Sequence, residues 1–264
     1  MKKRGECVST LKCEAFLTLC ESSQWERSDS SAIGLLGEKR LHGLLKRWVS
    51  PDMATHEQPV SDKNGAPTGL VADVLAGERI FEIQTGKLYP LLKKVARYLE
   101  ETEYGVTVIH PLFWQKHVCW VEAESGEVTS RHASPLHETP LRVLYELKPF
   151  LPYLGTPRFT LCLPLLSVEE FRLLDGWGKG GKRGSHRVEV VPTGMSEICT
   201  LHKKEDYAAL FPPQFAFHEF TAAEFGKACA LRTRKLYGAL SFFEVLGVIQ
   251  KCGKRGRATL YCRV

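Results

Sequence analysis

The sequence predicts an α/β protein: a mixed sheet flanked by helices, followed by a smaller helix-and-hairpin module. Three observations predict it. Apolar runs of strand length alternate with amphipathic helical stretches from residue 35 onward. Residues 69–85 read as two short strands joined by a tight turn at Gly77. Residues 218–264 carry nine Lys/Arg and three Glu, which accounts for the whole net charge of +6 and leaves the rest of the chain balanced.

Residues 1–34 are expected to be a weakly structured leader, because Ser22, Ser23, Ser28, Ser30 and Ser31 cluster there and apolar residues thin out after Cys20. Residues 35–49 are patterned as a helix, with Leu41, Leu44, Leu45 and Trp48 at helical spacing and Pro51 as the stop. Glu38 and His42 lie one turn apart on it. A short strand at 56–60 and a Gly/Pro/Asn loop lead into the 69–85 hairpin. Residues 87–101 then form a helix with Leu88, Leu91, Leu92, Val95 and Leu99 on one face and Pro90 in the first turn. Residues 106–109 and 118–121 are compact strand signals.

Beyond residue 140 the pattern gives a helix at 141–151, strands at 159–163 and 187–191, and a short helix at 204–210. Residues 173–187 hold a glycine-rich basic loop that lacks the Gly-Lys-Ser/Thr ending of a P-loop. Pro212 and Pro213 mark the expected boundary, so 35–212 forms the α/β domain, its motifs concentrated in 35–113, and 217–264 the second domain. In that second domain Thr221 and Glu224 have capping-box spacing at a helix start. Residues 233–246 make a second helix, apolar at Leu236, Leu240, Phe243 and Leu246. Two strands follow around a basic turn at 253–257. Helix, turn, helix and hairpin is the layout of a winged helix-turn-helix. Arg232, Arg234 and Lys235 at the start of the second helix, with Lys254, Arg255 and Arg257 on the wing, are the expected nucleic-acid contacts.

Composition narrows the class. At 44% hydrophobic and 25% charged the chain is ordinary for a globular protein. No apolar run approaches the roughly 20 residues that span a bilayer, so no membrane partner is expected. Lys2, Lys3 and Arg4 precede an apolar stretch broken by Glu14 and Glu21, which fits neither a signal peptide nor an anchor. Nine cysteines without a Cys-x-x-Cys pair argue against a zinc knuckle and for reduced thiols in a cytoplasm. No Gly-x-Ser-x-Gly element occurs, and the spacing of His110 and His117 matches no zinc-ligand pattern.

The chemistry-bearing residues lie in the hairpin. With Gly77-Glu78 as a two-residue loop, Ala76 pairs with Arg79 and Asp73 falls opposite Glu82. Directly opposed residues have Cβ atoms roughly 4.5–5.5 Å apart. Two carboxylates that close need a proton or a cation between them. A hard divalent ion is the simplest remedy, and a basic partner such as Arg79 is the alternative.

A helix bearing Glu38, a strand with Asp73, the run Glu82-Ile83-Gln84, a helix and a strand resemble the PD-(D/E)XK nuclease superfamily over residues 35–113. The resemblance implies a restriction-endonuclease-like core that holds Mg2+ (or Mn2+) through Asp73 and Glu82, aided by Glu38, and cleaves phosphodiester bonds. The family's lysine position is Gln84 here, as in the Glu-x-Gln version of competence-type CoiA nuclease-like domains. An amide orients a water but does not take its proton, and Lys87 is near enough in sequence to reach back. Glu57 is a further acid nearby. The expectation is a metal-dependent nuclease acting on DNA. The alternatives are a nuclease fold that binds DNA without turnover and an interaction scaffold.

Overall fold

A computed structural model describes residues 11–25, 37–122, 125–173 and 186–264. Helices α1 (Cys13–Trp25) and α2 (Gly37–Val49) precede the antiparallel strands β1 (His56–Ser61), β2 (Pro67–Ala76) and β3 (Arg79–Ile83). A 3-10 turn at Tyr89–Leu91 and helix α3 (Leu92–Glu101) then carry the chain to β4 (Gly105–Ile109), which runs parallel to β3. A parallel pair requires such a crossover. Strands β5 (Leu112–Val121) and β6 (Val128–Ala133) form an antiparallel pair. After the short helix α4 (Leu144–Leu147) come the long strands β7 (Phe159–Leu173) and β8 (His186–Leu201).

The eight strands make one mixed sheet, flanked by helices. β4 and then β5 run parallel along one edge of β7, and β8 runs antiparallel along the other. Pro164, which has no N–H to give, sits between the β7 residues that pair with β4 and those that pair with β5. This explains why the sequence pattern ends a strand near 163 although β7 continues to Leu173. β5 and β8 likewise outrun their expected bounds, because each is held along its length by β7. The helix expected over 141–151 is instead three pieces: 3-10 turns at Pro140–Arg142 and Lys148–Phe150 enclose α4. Pro149 lacks the N–H that would continue it.

The leader expectation is corrected over residues 13–25. α1 is a helix, and Phe16 and Cys20 are buried on the face of the sheet that α2 also covers, beside Leu45, Phe81 and Cys162. Trp48 donates its ring N–H to the Lys12 carbonyl at 3.0 Å and stands edge-on to Phe16 at 5.9 Å. A serine-rich flank hid a helix whose stability comes from this docking rather than from propensity.

α3 and α4 cover the opposite face, and the C-terminal segment joins the same core. That segment runs through α5 (Lys204–Ala208), β9 (Phe220–Thr221), α6 (Ala222–Ala228), α7 (Thr233–Val245), β10 (Ile249–Arg255) and β11 (Ala258–Arg263). β9, β11 and β10 form a three-stranded sheet, and Thr221 and Glu224 close the expected capping box. The chain passes Pro212 and Pro213 without leaving the core. Phe211 contacts Phe220, Phe225 and Phe243 at ring distances of 5.9, 6.1 and 5.3 Å. α7 packs on α4 so closely that a Cβ at Gly238 would stand 2.3 Å from the Tyr145 Cβ. The boundary expected at 212–213 is therefore a packed turn rather than a linker. The glycine-rich basic loop falls mostly on 174–185, outside the described residues.

If α1 is an integral part of the core, Phe16→Ala costs about 3–5 kcal/mol of stability. Urea denaturation followed by tryptophan fluorescence measures this, and a cost near zero would detach α1 from the fold.

Candidate functional site

The β2–β3 turn places Gly77 at φ 57°, in the first central position of a two-residue hairpin loop, where a type II′ turn needs glycine. Ala76 pairs with Arg79, Leu75 with Ile80 and Val74 with Phe81, the register expected from the sequence. The ladder stops there. In the same register the next partner for the Ile83 N–H is the Ala72 carbonyl, but that N–H donates to Asp73 Oδ2 at 2.8 Å. The Asp73 carboxylate thus replaces a main-chain acceptor at the point where β2 parts from β3.

Asp73 and Glu82 are reached from two helices. His42 on α2 places Nε2 3.3 Å from Asp73 Oδ1. On α3, Lys94 Nζ donates to Glu82 Oε2 at 2.7 Å, and the Tyr98 hydroxyl lies 3.0 Å from Glu82 Oε1 and 3.1 Å from the Val71 carbonyl. The Glu82 side chain is only 3% exposed. Its pKa is pushed up, first by burial and then by the charge of Asp73, against the pull of Lys94 and Tyr98. Asp73 moves the other way. Burial works against ionisation, but the hydrogen bonds from His42 and Ile83 and the charges of His42 and Lys94 outweigh it. The two acids are near neighbours with opposite tendencies. The basic partner weighed as the alternative is present at Glu82, but it is Lys94 rather than Arg79, whose guanidinium donates to the Thr107 and Thr160 hydroxyls at 2.9 and 3.4 Å.

Gln84 has a different place from the one expected. Its side-chain amide donates to the Lys87 carbonyl at 2.7 Å, its N–H donates to Ile109 O at 2.9 Å, and its own carbonyl accepts from His110 Nδ1 at 2.7 Å. Gln84 therefore braces the turn between β3 and α3, and Lys87 meets it through main chain rather than ammonium. Burial holds the His110 imidazole below its usual pKa, which suits a neutral ring with a single donor role. Glu57 pairs with Lys46 at the protein surface. Glu38 lies on α2, the helix that brings His42 to Asp73, and its side chain is outside the described residues.

Lys94 and Tyr98 were not singled out from the sequence. Their signal is an i, i+4 pair on α3, which puts both on one helix face toward the β3 carboxylate. Among the described residues, no group of three or more His, Cys, Asp or Glu side chains is spaced to hold a metal. The donor set is nonetheless all oxygen, with two carboxylates, the number of protein ligands that magnesium commonly takes. Each carboxylate oxygen accepts from a donor given above and keeps a second lone pair.

The C-terminal cations separate into two groups. Lys254, Arg255 and Arg257 are exposed at the hairpin tip, with Arg255 paired to Glu224 at 2.8 Å. Arg234 and Lys235 lie over the Tyr145 ring at 5.4 and 5.8 Å, on the side of α7 that faces α4. Arg232 is exposed and caps the start of α7.

A raised acid pKa stabilises the fold fully below the unfolded value, here 4.5, and that contribution is lost as pH rises through the folded value. Glu82→Gln removes this loss. The melting temperature of the variant relative to wild type is expected to climb between pH 4.5 and pH 8. A relative value that falls over the same range would show Glu82 to be a net stabilising anion.

A family model described as a domain of unknown function (DUF8091) matches residues 39–202. No curated protein and no solved structure matches the chain. The match takes in Asp73, Glu82, Lys94 and Tyr98, whereas the basic C-terminal segment lies beyond it. The chain belongs to the DUF8091 family.

Proposed function

We propose that this chain is a metal-dependent nuclease acting on DNA, built on the PD-(D/E)XK pattern with a C-terminal winged helix. The observation that carries the reading is that Asp73, held where the β2–β3 ladder ends, lies near enough to Glu82 for its charge to raise the Glu82 pKa, with the Lys94 ammonium on Glu82. Phosphodiester hydrolysis needs oxygen ligands for a hard cation and a fixed positive charge beside them, and these residues supply both. Asp73, Glu82 and Glu38 would hold Mg2+ or Mn2+. When bound there, such an ion supplies charge neutralisation at a phosphoryl oxygen and a water acidic enough to attack at neutral pH.

The protein's own parts divide as follows. Asp73 stays ionised and oriented because the Ile83 N–H and His42 hold it. Lys94 takes the role the family gives to the lysine after the glutamate. It lies 2.7 Å from Glu82 and is 31% exposed, so its ammonium can meet both the carboxylate and an incoming phosphate oxygen. Gln84 keeps the turn closed. The C-terminal order of helix, short strand, two helices and hairpin supports the winged-helix reading, and β9 pairs with the second hairpin strand. Lys254, Arg255 and Arg257 supply salt-sensitive phosphate affinity.

A second reading, a nuclease fold that binds DNA without turnover, is favoured by one observation. Gln84, in the lysine position, spends its amide on the Lys87 carbonyl and has no proton-accepting group to offer.

The two readings separate when purified protein is incubated with plasmid, single-stranded and branched DNA in magnesium, manganese or chelator. Hydrolysis that needs the metal and falls about a hundredfold or more in Asp73→Asn, Glu82→Gln and Lys94→Met, with melting curves intact, supports the enzyme. DNA retarded but uncut supports the second reading. Absence of both would remove DNA from the account. Replacing Lys254, Arg255 and Arg257 by alanine is expected to flatten the plot of log affinity against log salt by about 0.7–0.9 per lost phosphate contact.

A further inference from the structure

A groove of about 1170 Å³ opens between the 137–145 segment and the turn joining α6 to α7. It lies on the side of α7 that packs on α4, apart from Asp73 and Glu82. Five Lys/Arg side chains line it and no carboxylate does. The nearest acids are already committed. Glu138 accepts the Phe113 N–H at 3.0 Å, and Glu146 accepts the Leu88 N–H at 2.7 Å and the Tyr145 hydroxyl at 2.5 Å.

Two buried side-chain atoms among the described residues have no hydrogen-bond partner, Thr139 Oγ1 and Arg142 Nε, and both residues line this groove. A guanidinium N–H and a hydroxyl removed from water without partners are costly unless something else satisfies them. Lys235 stands in the same wall, and burial and the charge of Arg142 hold its pKa below the usual lysine value. The turn that completes the groove holds Ala230 at φ 51° and Thr233 at φ 44°, a conformation that β-branched residues rarely adopt. In the same lining the Trp114 and His137 rings sit 5.2 Å apart, the His137 carbonyl accepts from Arg142 Nη1 at 3.3 Å, and much of the remaining lining is apolar.

We propose that this groove binds a nucleotide, with the phosphate on Arg142, Lys235 and the Thr139 hydroxyl and the base against Trp114 and His137. Five cations, with Glu138 and Glu146 near Lys235 but accepting hydrogen bonds elsewhere, select a phosphate, and the unpartnered arginine N–H and hydroxyl give it directed hydrogen bonds. The aromatic wall distinguishes a nucleotide from inorganic phosphate. The nucleotide has two possible sources: free in solution, or part of a nucleic-acid strand. Arg234 and Lys235, read from the sequence as nucleic-acid contacts at the start of the second helix, then line a pocket between α7 and the 137–145 segment.

The test is equilibrium binding by calorimetry in chelator, where hydrolysis plays no part, so either reading can fail without the other. The probes are AMP, adenosine, inorganic phosphate and a thymidine tetranucleotide. Saturable binding of AMP or the tetranucleotide at one site per chain is expected, at least tenfold tighter than adenosine or phosphate. The tighter of the two names the source. Arg142→Gln and the near-isosteric Thr139→Val are expected to weaken it at least tenfold with unchanged melting, and the remote Lys63→Ala to leave it alone. No saturable binding, equal affinity for inorganic phosphate, or equal affinity in both folded groove variants would overturn the proposal.

Discussion

The hydrogen bond from the Ile83 N–H to Asp73 is the contact on which the rest of the site depends. It exists because the β2–β3 pairing ends at Val74, one residue short of Asp73, so a main-chain donor needs an acceptor from elsewhere. A charged acceptor in that place contributes about 1.5–3 kcal/mol and fixes the carboxylate. Asp73 is then a structural brace, and its pKa is lowered beside Glu82. Burial drives Glu82 toward its neutral form while Asp73 is drawn toward its charged one. Two like groups pushed apart in this manner are a recurring arrangement for dividing acid, base and metal-binding roles.

The parallel β3–α3–β4 connection supplies what the carboxylates need. A crossover helix must lie on the sheet, and here it lays Lys94 and Tyr98 over Glu82. The start of that crossover is tied to the other half of the molecule. The Leu88 N–H is held by Glu146, Glu146 is held by Tyr145, and Tyr145 lies under Arg234 and Lys235 and against Gly238. The turn braced by Gln84, the crossover helix and the basic groove therefore share a continuous set of contacts.

The sequence made the hairpin register and the order of elements from α2 to β4 legible, because a two-residue glycine loop and alternating apolar residues leave little choice. The capping box at Thr221 and Glu224 was legible for the same local reason. What escaped was decided at long range. α1 is held by burial of Phe16 and Cys20 rather than by its own composition. β7 runs past Pro164 because its neighbours change at that residue. Lys94 and Tyr98 acquire meaning only when α3 is laid against β3, and Arg234 and Lys235 only when α7 is laid against α4. Gln84 falls one residue past the end of β3, and its amide is taken by a main-chain acceptor three residues on.

The most direct measurement is a titration of magnesium into protein carrying carbon-13 at the aspartate and glutamate carboxyl groups, read by nuclear magnetic resonance near neutral pH. The expected result is that the Asp73 and Glu82 signals shift together, saturate at one ion per chain, and stop responding in Asp73→Asn. Carboxyl signals that stay in place through millimolar magnesium, with Lys94 still bound to Glu82, would contradict the account.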